Sequence, residues 1–233
     1  MSSEEARGSC LFHVTILTIH PEFCLQSKGF GPIASAEKFG SLKLRVVDLR
    51  DYAQNSYRSV DDRPYGGGDG MIMSPEPLAR ALQTLSPYDR VIFTTPGAPL
   101  WNHNLVREQC LDILQKNTHW VFICGRFGGI DQRFIDRYVT HQYSLGPYVI
   151  SGGELAVLTM IDSMVRHLPG AMSDPKSATT DSFEDTLDGL VEYPLYTRPA
   201  VFEGVEVPAV LLGGNHSEIE LWRKKHRRPV PTL

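Results

Sequence analysis

From residue 11 to residue 167, short apolar segments alternate with segments of helical periodicity. Clusters of apolar, β-prone residues predict strands at Leu11–Ile19, Leu42–Leu49, Arg90–Thr95, Trp120–Cys124 and Tyr148–Ile150. Apolar residues recurring every three or four positions predict helices at Pro75–Leu85, His103–Gln115, Asp131–Val139 and Glu154–His167. Strands that alternate with helices usually pair in parallel and are covered by those helices. The chain therefore predicts an α/β fold with a mostly parallel sheet.

Glycine and small polar residues follow three of the predicted strands. These segments are Thr94–Gly97, Gly125–Gly129 and Ser151–Gly153. In parallel α/β sheets, ligands bind beyond the carboxyl ends of the strands, and glycine lets the backbone approach a ligand closely. Any one of the three segments could equally be an ordinary tight turn. Their common position nevertheless favours a ligand site at this edge of the sheet.

The formal net charge of −4 argues against a protein that coats nucleic acid without selectivity, but it allows a local basic surface. No apolar stretch approaches the roughly 18 residues of a membrane span. Residues 1–8 lack the apolar core of a secretory signal. The cysteines form neither a CxxC pair nor a zinc-type spacing, which is ordinary for reduced thiols. We therefore expect a cytoplasmic protein with no membrane segment and no protein-built metal site.

A long polar loop is predicted over Asn55–Gly70, and it contains the glycine-rich sequence DDRPYGGGDGM at Asp61–Met71. Such a loop could present N–H groups to phosphate, while Arg63 contacts a phosphate or base edge and Tyr65 stacks on a base. It could also be a surface turn, and it is not a Walker A loop. A second glycine-rich segment, Cys124–Asp131, does not match the dinucleotide fingerprint, which disfavours a nucleotide-dependent oxidoreductase.

The character of the chain changes after Leu168-Pro169-Gly170. Residues 173–188 are rich in Ser, Thr and Asp, which predicts a mobile linker between a domain at 1–172 and a smaller one at 189–233. A helix is predicted at Glu218–His226. The basic run Arg223–Arg228 is typical either of a phosphate-binding surface or of a solvated tail.

Taken singly, the polar residues near the predicted helix ends are explained without catalysis. Ser151 and Glu154 suit the start of a helix as a cap and an acidic first-turn residue. Arg166 lies four residues after Asp162, as in a surface ion pair. Asp181 lies in a polar segment where a carboxylate is usually just solvated. Spacing alone therefore assigns none of them a chemical role.

Seven ordered segments together resemble the signature blocks of the bacterial tRNA (guanine-N1)-methyltransferases, from about Leu11 to Arg228. They are DDRPYGGGDGM, CGRFGGID, SLGPYVISGGEL, DSMVRHLPG, SATTDSF, YTRPAVFEG and VPAVLLGGNHSEIELWR. The resemblance implies a methyltransferase of the SPOUT class with a deep trefoil knot, a small helical C-terminal domain and an obligate homodimer. Periodicity does not predict a knot, and knots are rare.

The resemblance also implies the reaction, which is methyl transfer from S-adenosylmethionine to N1 of the guanosine at tRNA position 37. Asp181 would be the general base and Arg166 the essential arginine, with each active site shared across the dimer. The family's reported dependence on magnesium is compatible with this chemistry. The residues expected to bind the methyl donor are Phe93, Thr95, Pro96, Gly125, Phe127, Gly129, Leu145, Gly146, Tyr148, Ile150, Gly152 and Gly153. Those expected to bind tRNA are Asp62, Arg63, Tyr65, Gly67, His216 and Arg223.

Three positions depart from the family pattern. Gly128 stands where glutamate is usual, Pro147 replaces a usual aspartate, and Thr95–Ala98 differs from the usual Ser-Pro-x-Gly. Gly128 keeps open the alternative of a non-catalytic RNA-binding protein with the same fold. A knotted methyltransferase acting on another RNA position is the second alternative.

Overall fold

The computed structural model describes residues 10–174, 181–184 and 187–230. The chain divides into two compact units, residues 1–173 and 174–233. The predicted linker at 173–188 includes residues 175–180 and 185–186, which lie outside the described residues. Of the rest of that segment, Leu187 donates its N–H to the carbonyl of Glu184 and Phe183 donates to that of Leu190.

The first unit is built on a five-stranded sheet. Its strands are β1 (Phe12–Thr18), β2 (Leu42–Asp48), β5 (Arg90–Thr94), β6 (Thr118–Ile123) and β7 (His141–Tyr143). They lie in the order β2-β1-β6-β5-β7, and all four strand pairs are parallel, as the alternation of strands and helices predicts. A two-stranded antiparallel ribbon, β3 (Asp61–Asp62) with β4 (Ile72–Met73), lies outside this sheet.

Helices pack on both faces of the sheet, because alternate strand residues point in opposite directions. In β6, Trp120 and Phe122 join one core cluster while Val121 and Ile123 join the other. The helices are α1 (Pro21–Leu25), α2 (Gly31–Phe39), α3 (Pro75–Leu85), α4 (His103–Gln115), α5 (Gln132–Tyr138) and α6 (Gly153–Val165). The first cluster includes residues of α2, α4 and α6, and the second includes residues of α3 and α5.

Local signals explain several helix starts. Pro75 occupies the first turn of α3, as predicted, although the side chain of Ser74 makes no capping hydrogen bond. Asn102 caps α4 by accepting from the N–H of Leu105 at 3.0 Å. Asp131 caps α5 by accepting from the N–H of Arg133 at 2.9 Å. These caps satisfy N–H groups that the first helical turn leaves without partners.

The predicted strand at Tyr148–Ile150 is wrong. These residues have no strand pairing in the part of the chain that the structure describes, and all three side chains are exposed. The N–H of Tyr148 donates to the carbonyl of Gly146 at 2.9 Å, so this N–H group closes a tight turn instead of pairing with a strand. The last strand of the five-stranded sheet is instead β7, which pairs with β5. An apolar run of three residues is too short to distinguish these alternatives.

The second unit contains a hairpin and two helices among its described residues. Strands β8 (Val201–Phe202) and β9 (Val205–Glu206) pair antiparallel and precede α7 (Ala209–Leu212) and α8 (His216–Lys225). Helix α8 begins two residues before its predicted start at Glu218, because Asn215 accepts from the N–H groups of Ser217 and Glu218.

Candidate active site

A cavity of about 360 Å³ lies at the carboxyl ends of β5, β6 and β7. This is the edge of the sheet where the sequence predicts a ligand site. Three chain segments form its wall: the end of β5 with the residues after it, the segment 125–129 after β6, and the segment 143–153 between β7 and α6. The cavity falls within the size range of small-molecule sites.

The structure brings all residues expected to bind the methyl donor together around this one cavity. They are Phe93, Thr95, Pro96, Gly125, Phe127, Gly129, Leu145, Gly146, Tyr148, Ile150, Gly152 and Gly153. Most of the wall is therefore glycine backbone and apolar or aromatic side chain. Thr94 and Arg126 also line the cavity; both belong to the predicted ligand-site segments, but neither is among the residues expected to bind the donor.

Glycines in the wall let the segments lie in direct contact. The N–H of Gly153 donates to the carbonyl of Gly125 at 2.9 Å. A Cβ atom on Gly153 would lie 2.8 Å from the Cα of Cys124 and 2.9 Å from the backbone nitrogen of Gly125. A Cβ on Gly125 would lie 2.7 Å from the ring of Phe93. Side chains at these positions would push the wall segments apart.

An ion pair lies within the same wall. Nε of Arg126 donates to the two carboxylate oxygens of Glu154 at 2.9 and 3.2 Å, and Nη2 lies 2.9 Å from Oε2. The hydroxyl of Thr18 donates to Oε1 of Glu154 at 2.7 Å. Arg126 also donates to the carbonyl of Ser151 and packs on Gly152, where a Cβ would collide with its side chain. The side chain of Arg126 therefore links the segment 125–129 to the segment 143–153.

This arrangement corrects the prediction for the start of α6. Gly152 is the N-cap residue and Ser151 does not cap the helix. Glu154 is buried in its ion pair, so its favourable position in a first turn is not its main interaction. A sequence signal was present, because Arg126 lies two residues after a predicted strand and Glu154 begins a predicted helix directly after two glycines. Nothing local indicates that the two residues meet.

The predicted catalytic residues lie in different units of the chain. Arg166 is the C-cap residue of α6 in the first unit, and its N–H donates to the carbonyl of Asp162 at 3.3 Å. Asp181 belongs to the second unit, where its carbonyl accepts from the N–H of Glu184 at 3.3 Å.

Four of the predicted tRNA-binding residues lie at the end of β3 and in the glycine-rich segment that follows it. Asp62 ends β3, and its carboxylate accepts from the N–H of Arg63 at 2.7 Å. Tyr65 is 97% exposed, so its ring is free of protein packing. Gly67 has a left-handed φ of 79°, and no atom lies within 4 Å of a Cβ built on it. The predicted loop at Asn55–Gly70 is thus interrupted by β3, and Val60 just before β3 is buried in the second core cluster, whereas the residues from Tyr65 to Gly70 are exposed.

The other two predicted tRNA-binding residues lie on one helix. His216 is the first residue of α8 and Arg223 lies in its last turn, with its guanidinium 5.2 Å from the ring centre of Tyr193. The basic run that follows is part of the fold. Arg228 exchanges two backbone hydrogen bonds with Val191, and Arg227 pairs with Asp188 at 2.8 Å. A solvated tail is therefore the wrong description of these basic residues.

No group of three or more His, Cys, Asp or Glu side chains that could hold a metal ion occurs among the described residues. Within the same ranges, no helix is both long and apolar enough to span a membrane. Burial raises the pKa of the Cys124 thiol well above its usual value, which makes this cysteine, directly after β6, a poor nucleophile.

The family model described as tRNA (guanine-1)-methyltransferase TrmD matches residues 12–230. The chain belongs to this family. It is 44% identical over 213 residues to the tRNA (guanine-N(1)-)-methyltransferase of Geobacter sulfurreducens, which covers 90% of this chain and 84% of that protein. Proteins with the same name from Dictyoglomus turgidum and Buchnera aphidicola are 39% and 43% identical, over 92% and 90% of this chain and 84% and 87% of their own lengths.

Proposed function

We propose that this protein transfers the methyl group of S-adenosylmethionine to N1 of the guanosine at position 37 of tRNA. One observation carries the proposal. In a chain of this family, every residue expected to bind the methyl donor lines a single cavity at the ligand-binding edge of the sheet. The relatives carry the name of this activity.

The cavity suits a donor that is held mainly by shape and backbone contacts. Phe93, Phe127 and Tyr148 offer aromatic surface, while the glycines allow close approach of backbone groups. Attack on a sulfonium methyl requires an in-line approach of the nucleophile. Much of the catalysis should therefore come from positioning the methyl donor relative to the guanine.

Asp181 and Arg166 would act on the guanine, the first as general base and the second by stabilising negative charge. Guanine N1 carries a proton and is a poor nucleophile at neutral pH. A carboxylate at Asp181 can accept this proton while N1 bonds to the methyl carbon and the bond from that carbon to sulfur breaks. The guanidinium of Arg166 would stabilise the negative charge that develops on O6. The products are methylated guanine and a neutral thioether.

Membership of the family supports the larger features that accompany this reaction. We propose a trefoil knot around the cavity, and a cytoplasmic homodimer in which Asp181 of one subunit serves the donor held by the other. A linker at 173–188 would join a donor-binding domain at 1–172 to a C-terminal tRNA-binding domain at 189–233. The exposed ring of Tyr65 and the aromatic and basic side chains of α8 are suited to stack on bases and contact phosphates.

The family's reported dependence on magnesium points to the substrate in this proposal. The described residues contain no cluster that would hold the ion. Mg²⁺ usually keeps several waters and binds through substrate phosphates together with one or two carboxylates. We therefore expect any magnesium effect to depend on tRNA, whose phosphates would supply ligands for the ion.

The deciding experiment is methyl transfer from labelled S-adenosylmethionine to two tRNA transcripts, with guanosine or adenosine at position 37. We expect transfer to the first transcript only. Transfer to both would indicate another RNA position. Transfer to neither, with tRNA still bound, would indicate a non-catalytic RNA-binding protein.

The Asp181→Ala variant tests the role of the carboxylate in the same assay. Because a general base contributes about 10² to 10⁴ in rate, we expect turnover to fall by a factor in that range. Affinity for S-adenosylmethionine, measured by calorimetry, should change by less than about twofold. Donor affinity that is lost together with turnover would contradict the general-base role.

A further inference from the structure

Arg126 is the one formally charged residue among the described residues that line the cavity. Its side chain is 23% exposed and packs against Gly152 of the wall. A unit charge next to a partly enclosed cavity acts strongly on a charged ligand, because the effective dielectric constant there is well below that of water. The charge state around Arg126 therefore affects which ligands the cavity accepts.

The charge of Arg126 is compensated from behind the wall. Glu154 pairs with its guanidinium at 2.9 Å, and the side chain of this acid is only 2% exposed. Thr18 orients the carboxylate by donating its hydroxyl to Oε1, and the same hydroxyl accepts from the N–H of His20 at 2.9 Å. The negative charge is thus fixed in place, and the pair presents no net charge to the cavity.

The charge of the ligand changes during the proposed reaction. S-adenosylmethionine carries a positive sulfonium, whereas the thioether that remains after methyl transfer is neutral at sulfur. An uncompensated guanidinium in the wall would repel the sulfonium and leave the neutral sulfur nearly unaffected. Because the carboxylate of Glu154 neutralises the guanidinium, the sulfonium of the donor would no longer be repelled.

We propose that Glu154 determines the specificity of the cavity for a cationic donor by neutralising Arg126, in addition to joining the wall segments. This inference rests on the proposed function, because it takes S-adenosylmethionine and S-adenosylhomocysteine as donor and product. Glu154 is a positioning residue in this account, since it acts on the ligand through Arg126.

The test is the ratio of two dissociation constants, Kd for S-adenosylmethionine divided by Kd for S-adenosylhomocysteine, measured by calorimetry at pH 8. In Glu154→Gln we expect this ratio to rise on the order of tenfold, because only the cationic ligand is repelled. In the double variant Arg126→Gln/Glu154→Gln, which restores neutrality, the ratio should return to within about twofold of the original value. The ratio isolates charge, because a loosened wall would weaken both ligands alike.

Two further variants keep the test decisive. Asp112→Asn breaks a partly buried ion pair with Arg90 that does not line the cavity, and it should lower the melting temperature without moving the ratio.

If Glu154→Gln does not fold, Arg126→Gln should move the ratio the opposite way, in favour of the donor. An unchanged ratio in the single variants would overturn the inference. Failure of the unaltered protein to bind either ligand would instead count against the proposed function.

Discussion

Two glycine-rich regions of this protein need glycine for opposite reasons. In the cavity wall, Gly153 is required by its neighbours, because a Cβ would lie 2.8 Å from the backbone of Cys124. In the segment between β3 and β4, Gly67 is required by its own backbone, with a φ of 79° and no atom within 4 Å of a Cβ. Crowding explains the wall glycines Gly125, Gly146, Gly152 and Gly153, whereas the glycines between β3 and β4 are explained by a backbone that turns in open space.

The difference fits the two kinds of ligand that we propose. A crowded wall, fixed by backbone contacts and the Arg126–Glu154 ion pair, provides a preformed cavity for a small donor. An open segment with an exposed Tyr65 leaves its backbone N–H groups and ring accessible to a large, polar partner such as RNA. Substitutions should therefore have separable effects on donor binding and on tRNA binding.

The largest effect is expected for Gly153→Ala. The added methyl group meets backbone atoms of Cys124 and Gly125, which cannot move aside as a flexible side chain could. Overpacking of this kind typically costs about 1–3 kcal/mol of unfolding free energy. We also expect donor affinity to fall by about 100-fold, because the segments that form the cavity separate. Urea unfolding and calorimetry with S-adenosylmethionine measure the two effects.

Gly97→Ala is the matched control for that variant. Gly97 follows β5 near the same wall, but nothing lies within 4 Å of a Cβ on it and its φ is not left-handed. Its unfolding free energy and donor affinity should remain near the original values. Equal losses in the two variants would mean that crowding at Gly153 is not what fixes the wall.

A smaller, different effect is expected for Gly67→Ala. Alanine in a left-handed conformation costs about 1 kcal/mol, and there is no steric conflict to add to it. Donor affinity should be unchanged, whereas KM for tRNA should rise several-fold if the segment grips RNA. Gly29→Ala, at a position with open space and no left-handed φ, serves as the control. A loss of donor affinity in Gly67→Ala would contradict the separation of the two regions.

Much of this architecture follows from periodic patterns in the sequence. Alternation of buried residues in β6, from Trp120 to Ile123, requires helices on both faces of the sheet. The predicted parallel sheet is confirmed, and its carboxyl edge is where the cavity lies. The strand at Tyr148–Ile150 was wrong because a short apolar run does not show whether its N–H groups pair with a strand or close a turn.

The contacts that organise the cavity are harder to predict because they are non-local. Arg126 and Glu154 are separated by 28 positions, and Thr18 is 136 positions from Glu154. A glutamate in the first turn of a helix already has a sufficient local explanation in the helix dipole. Only the fold shows that Glu154 is buried and must be paired. The assignments of Asp181 and Arg166 still rest on the resemblance and remain predictions.

The smallest effect is expected at the junction between the two regions. The N–H of Gly128 donates to the carbonyl of Met71 at 2.8 Å, which links the cavity wall to the end of the open segment. A Cβ on Gly128 would lie 3.1 Å from that carbonyl oxygen, so its neighbours need to shift by only a few tenths of an ångström. Gly128 does not have a left-handed φ, so alanine also reduces the conformational entropy of the unfolded chain.

These two contributions oppose each other in Gly128→Ala. The tight contact with Met71 destabilises the folded state, while the lower entropy of the unfolded state stabilises it by about 0.4–1 kcal/mol. We therefore expect a net change below about 1 kcal/mol in unfolding free energy, with donor affinity and KM for tRNA each within about twofold. Urea unfolding and steady-state kinetics check this. If KM for tRNA and donor affinity both worsened substantially, the junction would couple the two regions, and the division between a crowded donor site and an open RNA-binding segment would not hold.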